Sequence, residues 1–256
     1  MEKWDIWIVA LAIVFCLMLL GATFFGQVMR PACWGLSYGE AGTPPAGPLS
    51  QDTLRRFGAF YLGNPEEHTV CLTFDAAFEA GFTGKILDAL RLHHAPAAFF
   101  LTEGYLEQNA DLVRRMVREG HSVGLRSADR REERDGSQSA ELAQELQRTQ
   151  ARFSEIIGRT MEPVYRPSMG FYSEASLKMA QKLGLATVFW SLAHAERQPQ
   201  AAIDVLCRRI HPGAVVLLCA ASETDAEILG ALLTRWEDMG YRFTPLSQLI
   251  FPVPAV

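Results

Sequence analysis

The run Leu72-Thr73-Phe74-Asp75-Ala76-Ala77 closes an apolar stretch on a carboxylate. An ionised acid at the tip of a buried strand is costly to place, so Asp75 is a candidate functional residue. The two alanines after it offer neither donor nor acceptor. Other apolar runs also end on polar or reactive groups. Arg126 does, with Asp129 and Arg130 just beyond; so do Arg166 in YRPSMG, His194 and Glu196 after LATVFWS, and Cys219 after AVVLLC. Three chemistries are open to such a set. Arg126, Arg130 and Arg166 could hold a phosphate or carboxylate. Asp75, Asp129, His194 and Cys219 could grip a metal ion, although no spacing recommends them. Cys219 could act as a nucleophile, but no base stands beside it to lower its pKa, and a small core-lining role is the simpler expectation. The six histidines, at 68, 93, 94, 121, 194 and 211, include no i, i+4 pair, the spacing at which two imidazoles converge on one zinc.

These residues need a scaffold, and the chain supplies a regular one. Seven short apolar runs, TVCLTF, AAFFLT, HSVGLR, VYRP, LATVFWS, AVVLLC and YRFTPL, read as strands. Six segments of helical period lie among them, and four end in Gly120, Gly158, Gly184 or Gly240, as helix C-caps favour. Strands apolar on both faces and alternating with helices predict a parallel sheet covered on both sides, either doubly wound or closed into a barrel. In such folds chemistry gathers at the carboxyl ends of the strands. That is where Asp75, Arg126, Arg166, His194 and Cys219 fall.

Composition bounds the rest. The chain has 256 residues, 49% of them hydrophobic, and a net charge of -5, enough for one sizeable core plus an appendage and no reason to expect nucleic-acid binding. Residues 6–26 carry no charge and are long enough to cross a bilayer, which takes about 20 apolar residues. Bulky TFFGQVM follows, with no small-residue cleavage site, so an uncleaved anchor over 1–30 is expected. Residues 31–53, rich in Gly and Pro, read as a tether, and 54–256 as the folded domain. Lys3 and Arg30 flank the span too evenly to orient it. The cysteines form no framework or CxxC pair; Cys71 and Cys207 lie among apolar neighbours and read as core. Arg131 to Asp135 read as a solvated charge run, and Phe189 and Trp190 as strand residues better placed for packing than for sugar stacking.

The ordered motifs CWGL, FGAFYLG, LTFDAAFEAGFT, REGHSVG, YRPSMGFYSE, TVFWSLA and HPGAVVLL resemble the polysaccharide deacetylases of carbohydrate esterase family four. The resemblance is nearest to the branch that deacetylates muramic acid during δ-lactam formation in spore cortex. It implies a distorted (β/α)7 TIM-like barrel of the α/β class, here preceded by one transmembrane helix and held extracytoplasmically at the cell membrane, with cell-wall glycan as partner. It also implies metal-assisted N-deacetylation: zinc or another divalent ion polarises the acetyl carbonyl and a bound water, a carboxylate takes the water's proton, and a histidine protonates the leaving amine.

The same alignment of motifs exposes what is missing. Asp75 matches the general base, but Ala76 stands at the next ligand position. Arg126 and Arg130 replace both histidines of H-S-x-x-H, and Cys219 replaces the proton-donating histidine. Glu196-Arg197 stands for Asp-Trp, with Glu196 a candidate to hold Arg166, and Ser168 replaces a proline. Arginine has no lone pair for a cation. The expectation is therefore a zinc-less, inactive relative in which Arg126 or Arg166 supplies the charge the metal once gave. An active deacetylase with an altered metal site and a plain anion-binding module are the competing expectations.

Overall fold

The structure, a computed structural model, describes residues 32–128 and 139–250. The expected anchor over 1–30, the charged stretch holding Asp129 and Arg130, and residues 251–256 lie outside it. Among the described residues no helix is long and apolar enough to cross a membrane.

In chain order the elements are β1 (Ala32–Cys33), α1 (Gln51–Arg56), β2 (Ala59–Phe60), β3 (Thr69–Ala76), α2 (Thr83–Leu92), β4 (Ala97–Leu101), α3 (Glu103–Gln108), α4 (Ala110–Arg118), β5 (Ser122–Arg126) and α5 (Ser139–Ile157). They continue as β6 (Val164–Arg166), β7 (Phe171–Tyr172), α6 (Glu174–Lys182), β8 (Ala186–Val188), α7 (Pro199–Arg209), β9 (Ala214–Cys219), α8 (Glu223–Asp238), β10 (Arg242–Phe243) and α9 (Leu246–Ile250). The seven expected strands are present, and β2 joins them in one curled sheet of order β10-β3-β4-β5-β6-β8-β2, with β9 on β3 and every ladder parallel. Past the end of β8 the sheet meets β9 at a single bridge, Leu192 to Val216. That thin seam is the distortion.

Two-residue alternation sorts the side chains between the faces. Along β3, Val70, Leu72, Phe74 and Ala76 join the main core under the helices, together with Phe99 of β4, Val216 of β9 and Trp236 of α8. The opposite parity, Cys71 with Ala98, Phe100, Val164, Val188 and Val215, fills the inside of the curl. Continuing that inner parity toward the carboxyl ends gives Thr73 and Asp75, Gly124 and Arg126, Arg166, and Cys219. The interior is tight: a Cβ on Gly124 would lie 2.4 Å from Val164 Cγ2 and 3.2 Å from Phe100 Cδ1.

The segment expected as a tether is instead packed on the domain from Ala32 onward. β1 pairs antiparallel with β7, Ala32 opposite Tyr172 and Cys33 opposite Phe171. The buried Trp34 stacks on Phe189 at 4.4 Å between ring centroids and donates from Nε1 to the Trp190 carbonyl at 2.9 Å. The chain then returns over it, Ser37 bridging Ala46, with Gly47 so close to the indole that a Cβ there would lie 2.6 Å from Trp34 Cζ3's neighbour Cη2.

Candidate functional site

Asp75 and Arg166 meet because β3 and β6 deliver them to the same end of the curl on the same inner parity. Arg166 is fully enclosed, its side chain 0% exposed. Its Nη1 donates to Thr73 Oγ1 at 2.7 Å and to Asp75 Oδ1 at 3.3 Å. Nε donates to the Val188 carbonyl at 3.0 Å and Nη2 to that of Phe189 at 3.4 Å. Thr73 passes the connection on by donating to the Val216 carbonyl at 2.6 Å. The guanidinium carbon lies 4.2 Å from the Phe100 ring centroid, a favourable face for a desolvated cation. Burial pulls the Arg166 pKa down while the Asp75 carboxylate opposes it; the group stays charged, as arginine does in proteins.

The second oxygen of Asp75 is also taken. Arg126, opposite Arg166 in the β5–β6 register, donates from Nε to Asp75 Oδ2 at 3.1 Å and from Nη1 to the Ser127 carbonyl at 3.2 Å. Both arginines thus carry the compensating role expected of one or the other. Ala76 is buried on the opposite face of β3, where it contributes only packing.

Cys219 lies beside Asp75 in the β3–β9 register and is exposed, a correction to its expected core-lining place. Desolvation, with the Asp225 and Asp75 carboxylates adding to it, pushes its thiol above the ordinary value, which disfavours the thiolate a nucleophile needs. Burial pushes the Cys71 thiol further, to about 12, in keeping with a core residue; Cys207 is half-buried. Glu196 is a second correction. It is exposed on the loop after β8, and Arg166 is held by main-chain carbonyls and Thr73 in its place. Trp190 is half-buried, its ring 5.8 Å from the Arg166 guanidinium, and its carbonyl serves Trp34.

His194 does reach the rim, but it faces Asp225. Nε2 lies 2.8 Å from Asp225 Oδ1, and Asp225 Oδ2 accepts the Cys219 amide at 2.6 Å. The sequence hid Asp225 because Ser222-Glu223-Thr224-Asp225 reads as a helix start, and Ser222 does cap α8 by accepting the Asp225 amide. Among the described residues no three His, Cys, Asp or Glu side chains stand close enough to hold a metal ion. With Ala76 turned away and a guanidinium against Asp75, these residues do not fit a divalent cation.

Comparison with known proteins agrees with this architecture. Residues 62–188 match the polysaccharide deacetylase family model. The peptidoglycan-N-acetylmuramic acid deacetylase PdaA of Bacillus subtilis is 33% identical over 229 residues, 87% of each chain. This chain belongs to the polysaccharide deacetylase family. The structure of Bacillus subtilis PdaA, a family 4 carbohydrate esterase, superposes on this chain with a TM-score of 0.80 at 32% identity, covering 86% of this chain and 97% of that one. A CE4 family pseudoenzyme from Bacillus anthracis shares the fold at a TM-score of 0.67 and 23% identity, covering 75% of this chain and 68% of that one.

Proposed function

We propose that this protein is a peptidoglycan-directed member of the family that binds cell-wall glycan without hydrolysing it, held at the outer face of the cell membrane by its N-terminal apolar segment. The observation that carries this reading is the 3.1 Å contact of Arg126 Nε with Asp75 Oδ2. Arg166 alone could orient a catalytic base. A second guanidinium on the other oxygen takes one of its lone pairs and brings a positive charge to the side a metal would approach. Cys219, its proton retained, cannot replace an imidazole as a proton donor near neutrality.

The (β/α)7 barrel of the family then serves as a glycan platform in which the pit is plugged by its own ion pairs. Metal analysis of the purified full-length chain, paired with acetate release from N-acetylglucosamine and N-acetylmuramic acid oligomers, tests the proposal. Expected are no zinc retained through dialysis and no acetate, with glycan fragments still raising the melting temperature. Acetate release abolished by Asp75→Ala would establish a working deacetylase instead.

A further inference from the structure

We infer that the seam between β8 and β9 is a latch, closed by neutral His211 acting through Ser191, and that a proton added to His211 opens it beside the Asp75 pit. The latch concerns how the barrel is held shut, so it stands apart from the glycan-binding reading.

A side chain fills a gap in the ladder at this seam. The two sides share one bridge, Leu192 to Val216. Main-chain bonds run beside it from the Ser191 and Leu192 amides to the Val215 carbonyl, and from the Leu217 amide to the Leu192 carbonyl. The Val215 amide donates instead to Ser191 Oγ, at 3.0 Å. His211 backs that hydroxyl: its Nε2 lies 2.9 Å from Ser191 Oγ, and its Nδ1 lies 2.9 Å from the Arg209 carbonyl. A carbonyl only accepts and an amide only donates. Nδ1 therefore carries the ring's hydrogen, and Nε2 accepts the Ser191 hydroxyl. This relay closes only while the ring is neutral. Toward the pit, Arg166 spans the same seam. It donates to the Val188 and Phe189 carbonyls ahead of Ser191, and through Thr73 it reaches the Val216 carbonyl of β9.

A second proton on the ring breaks the relay. Nε2 becomes a donor, so Ser191 Oγ receives two hydrogens and its own has no acceptor left in the relay. Ser191 and His211 are both fully buried, where an unmade bond and an uncompensated charge are costly. The loop leaves the ring little room to turn elsewhere: Gly213, at φ 71°, lies so close to Asn64 that a Cβ there would lie 2.6 Å from the Asn64 carbonyl oxygen. The charged groups on the surrounding elements are engaged or exposed. On α7, Asp204 pairs with Arg235 at 3.7 Å, Arg208 is exposed and Arg209 lies over the Tyr38 ring at 4.2 Å. Before β3, Glu67 is exposed and accepts from Asn64 at 2.8 Å. After β8, His194 faces Asp225, and β9 carries no ionisable group before Cys219. Burial raises Tyr38 and Cys207, so both stay uncharged near neutrality. Burial also holds His211 below its ordinary value, with the Arg209 carbonyl opposing. The seam is therefore shut at neutral pH and yields only as pH falls below about 6.5. Opening it parts β9 from the carbonyls that hold Arg166, and so loosens a partner of Asp75.

Amide hydrogen exchange of the full-length chain, compared at about pH 7.5 and about pH 5 and corrected for the exchange of free amides, tests the latch. Segments 189–193 and 214–217 should exchange at least about tenfold faster at the lower pH, while β4 on the far side of β3 stays protected. His211→Gln, whose amide can accept the Ser191 hydroxyl without titrating, should remove the difference. Ser191→Ala, which leaves the Val215 amide without its acceptor, should exchange fast at both. An equal rise in every strand would mean general loosening and would overturn the inference. A rise that persists in His211→Gln, or no rise at all, would overturn it too. If His211→Gln folds poorly, the parent chain still decides: the NMR titration of the His211 ring and the exchange of the Val215 amide should share one midpoint. Opening while that ring is still neutral would end the proposal.

Discussion

The inner and outer halves of the Asp75 site have different histories. The inner half, Arg166 with Thr73, the carbonyls of Val188 and Phe189 and the face of Phe100, keeps the residues of the family motifs it comes from. The outer half, Ala76, Arg126 and Cys219, has replaced them. Position explains the difference. Arg166 ties β6 to β3, and through Thr73 to β9, so losing it would leave buried carbonyls and a carboxylate without partners. Among the described residues Arg126 meets only Asp75 and the Ser127 carbonyl, Cys219 is exposed and Ala76 only packs in the core, so exchanging any of them breaks fewer buried polar contacts.

The widest test of that contrast rebuilds the outer half alone. Arg126→His with Arg130→His and Cys219→His should give a chain that holds zinc stoichiometrically where the parent retains none, as metal analysis after dialysis would read; Ala76 stays, because an acid there would be buried in the main core. A rebuilt pit that still ignores zinc would mean the inner half has changed shape as well. Next in size, Arg166→Met should destabilise the protein by about 3–5 kcal/mol, the range for leaving one partner of a buried ion pair alone, read by denaturant unfolding. A loss under about 1 kcal/mol would dissolve the distinction between the halves. Trp34→Ala, outside the site but packed on Phe189, should cost about 3 kcal/mol, read by the same denaturant unfolding.

The smallest effect is one of pH. Burial holds the imidazoles of His211 and His121 below their ordinary value. Above about pH 6.5 the folded and unfolded forms are both neutral and the contribution is complete. As pH falls below that, the unfolded chain takes up protons first and stability declines until the depressed folded-state values are passed. The melting temperature should slope downward there, less so in His211→Gln, with the remaining slope due to His121.

The strands, and the carboxyl ends that bring Asp75, Arg126, Arg166 and Cys219 to one rim, were legible because they depend on a repeated pattern of apolar runs alternating with helical segments. Single contacts were not. β1 and β7 are two residues each, too short to show a period, so the Gly/Pro-rich stretch around Trp34 read as slack chain although one indole pins it. Glu196 sits near the site in sequence but points to solvent, because the loop after β8 leaves the rim before reaching it. Arg166 meets the Asp75 carboxylate the sequence reading gave it, but two of its other contacts are the Val188 and Phe189 carbonyls, which no side-chain motif records.

The Trp34 clasp changes what a cut in the chain after it would do. A protease cutting between residues 35 and 50 would sever the backbone but leave the stub bonded through β1 and lodged by its indole against Phe189. Complete release would require pulling that ring out, baring Tyr61, Tyr172 and Phe189 together. A fragment trimmed to begin at Leu54 would carry the same sticky aromatic wound, and should clump where one beginning before Ala32 stays dispersed.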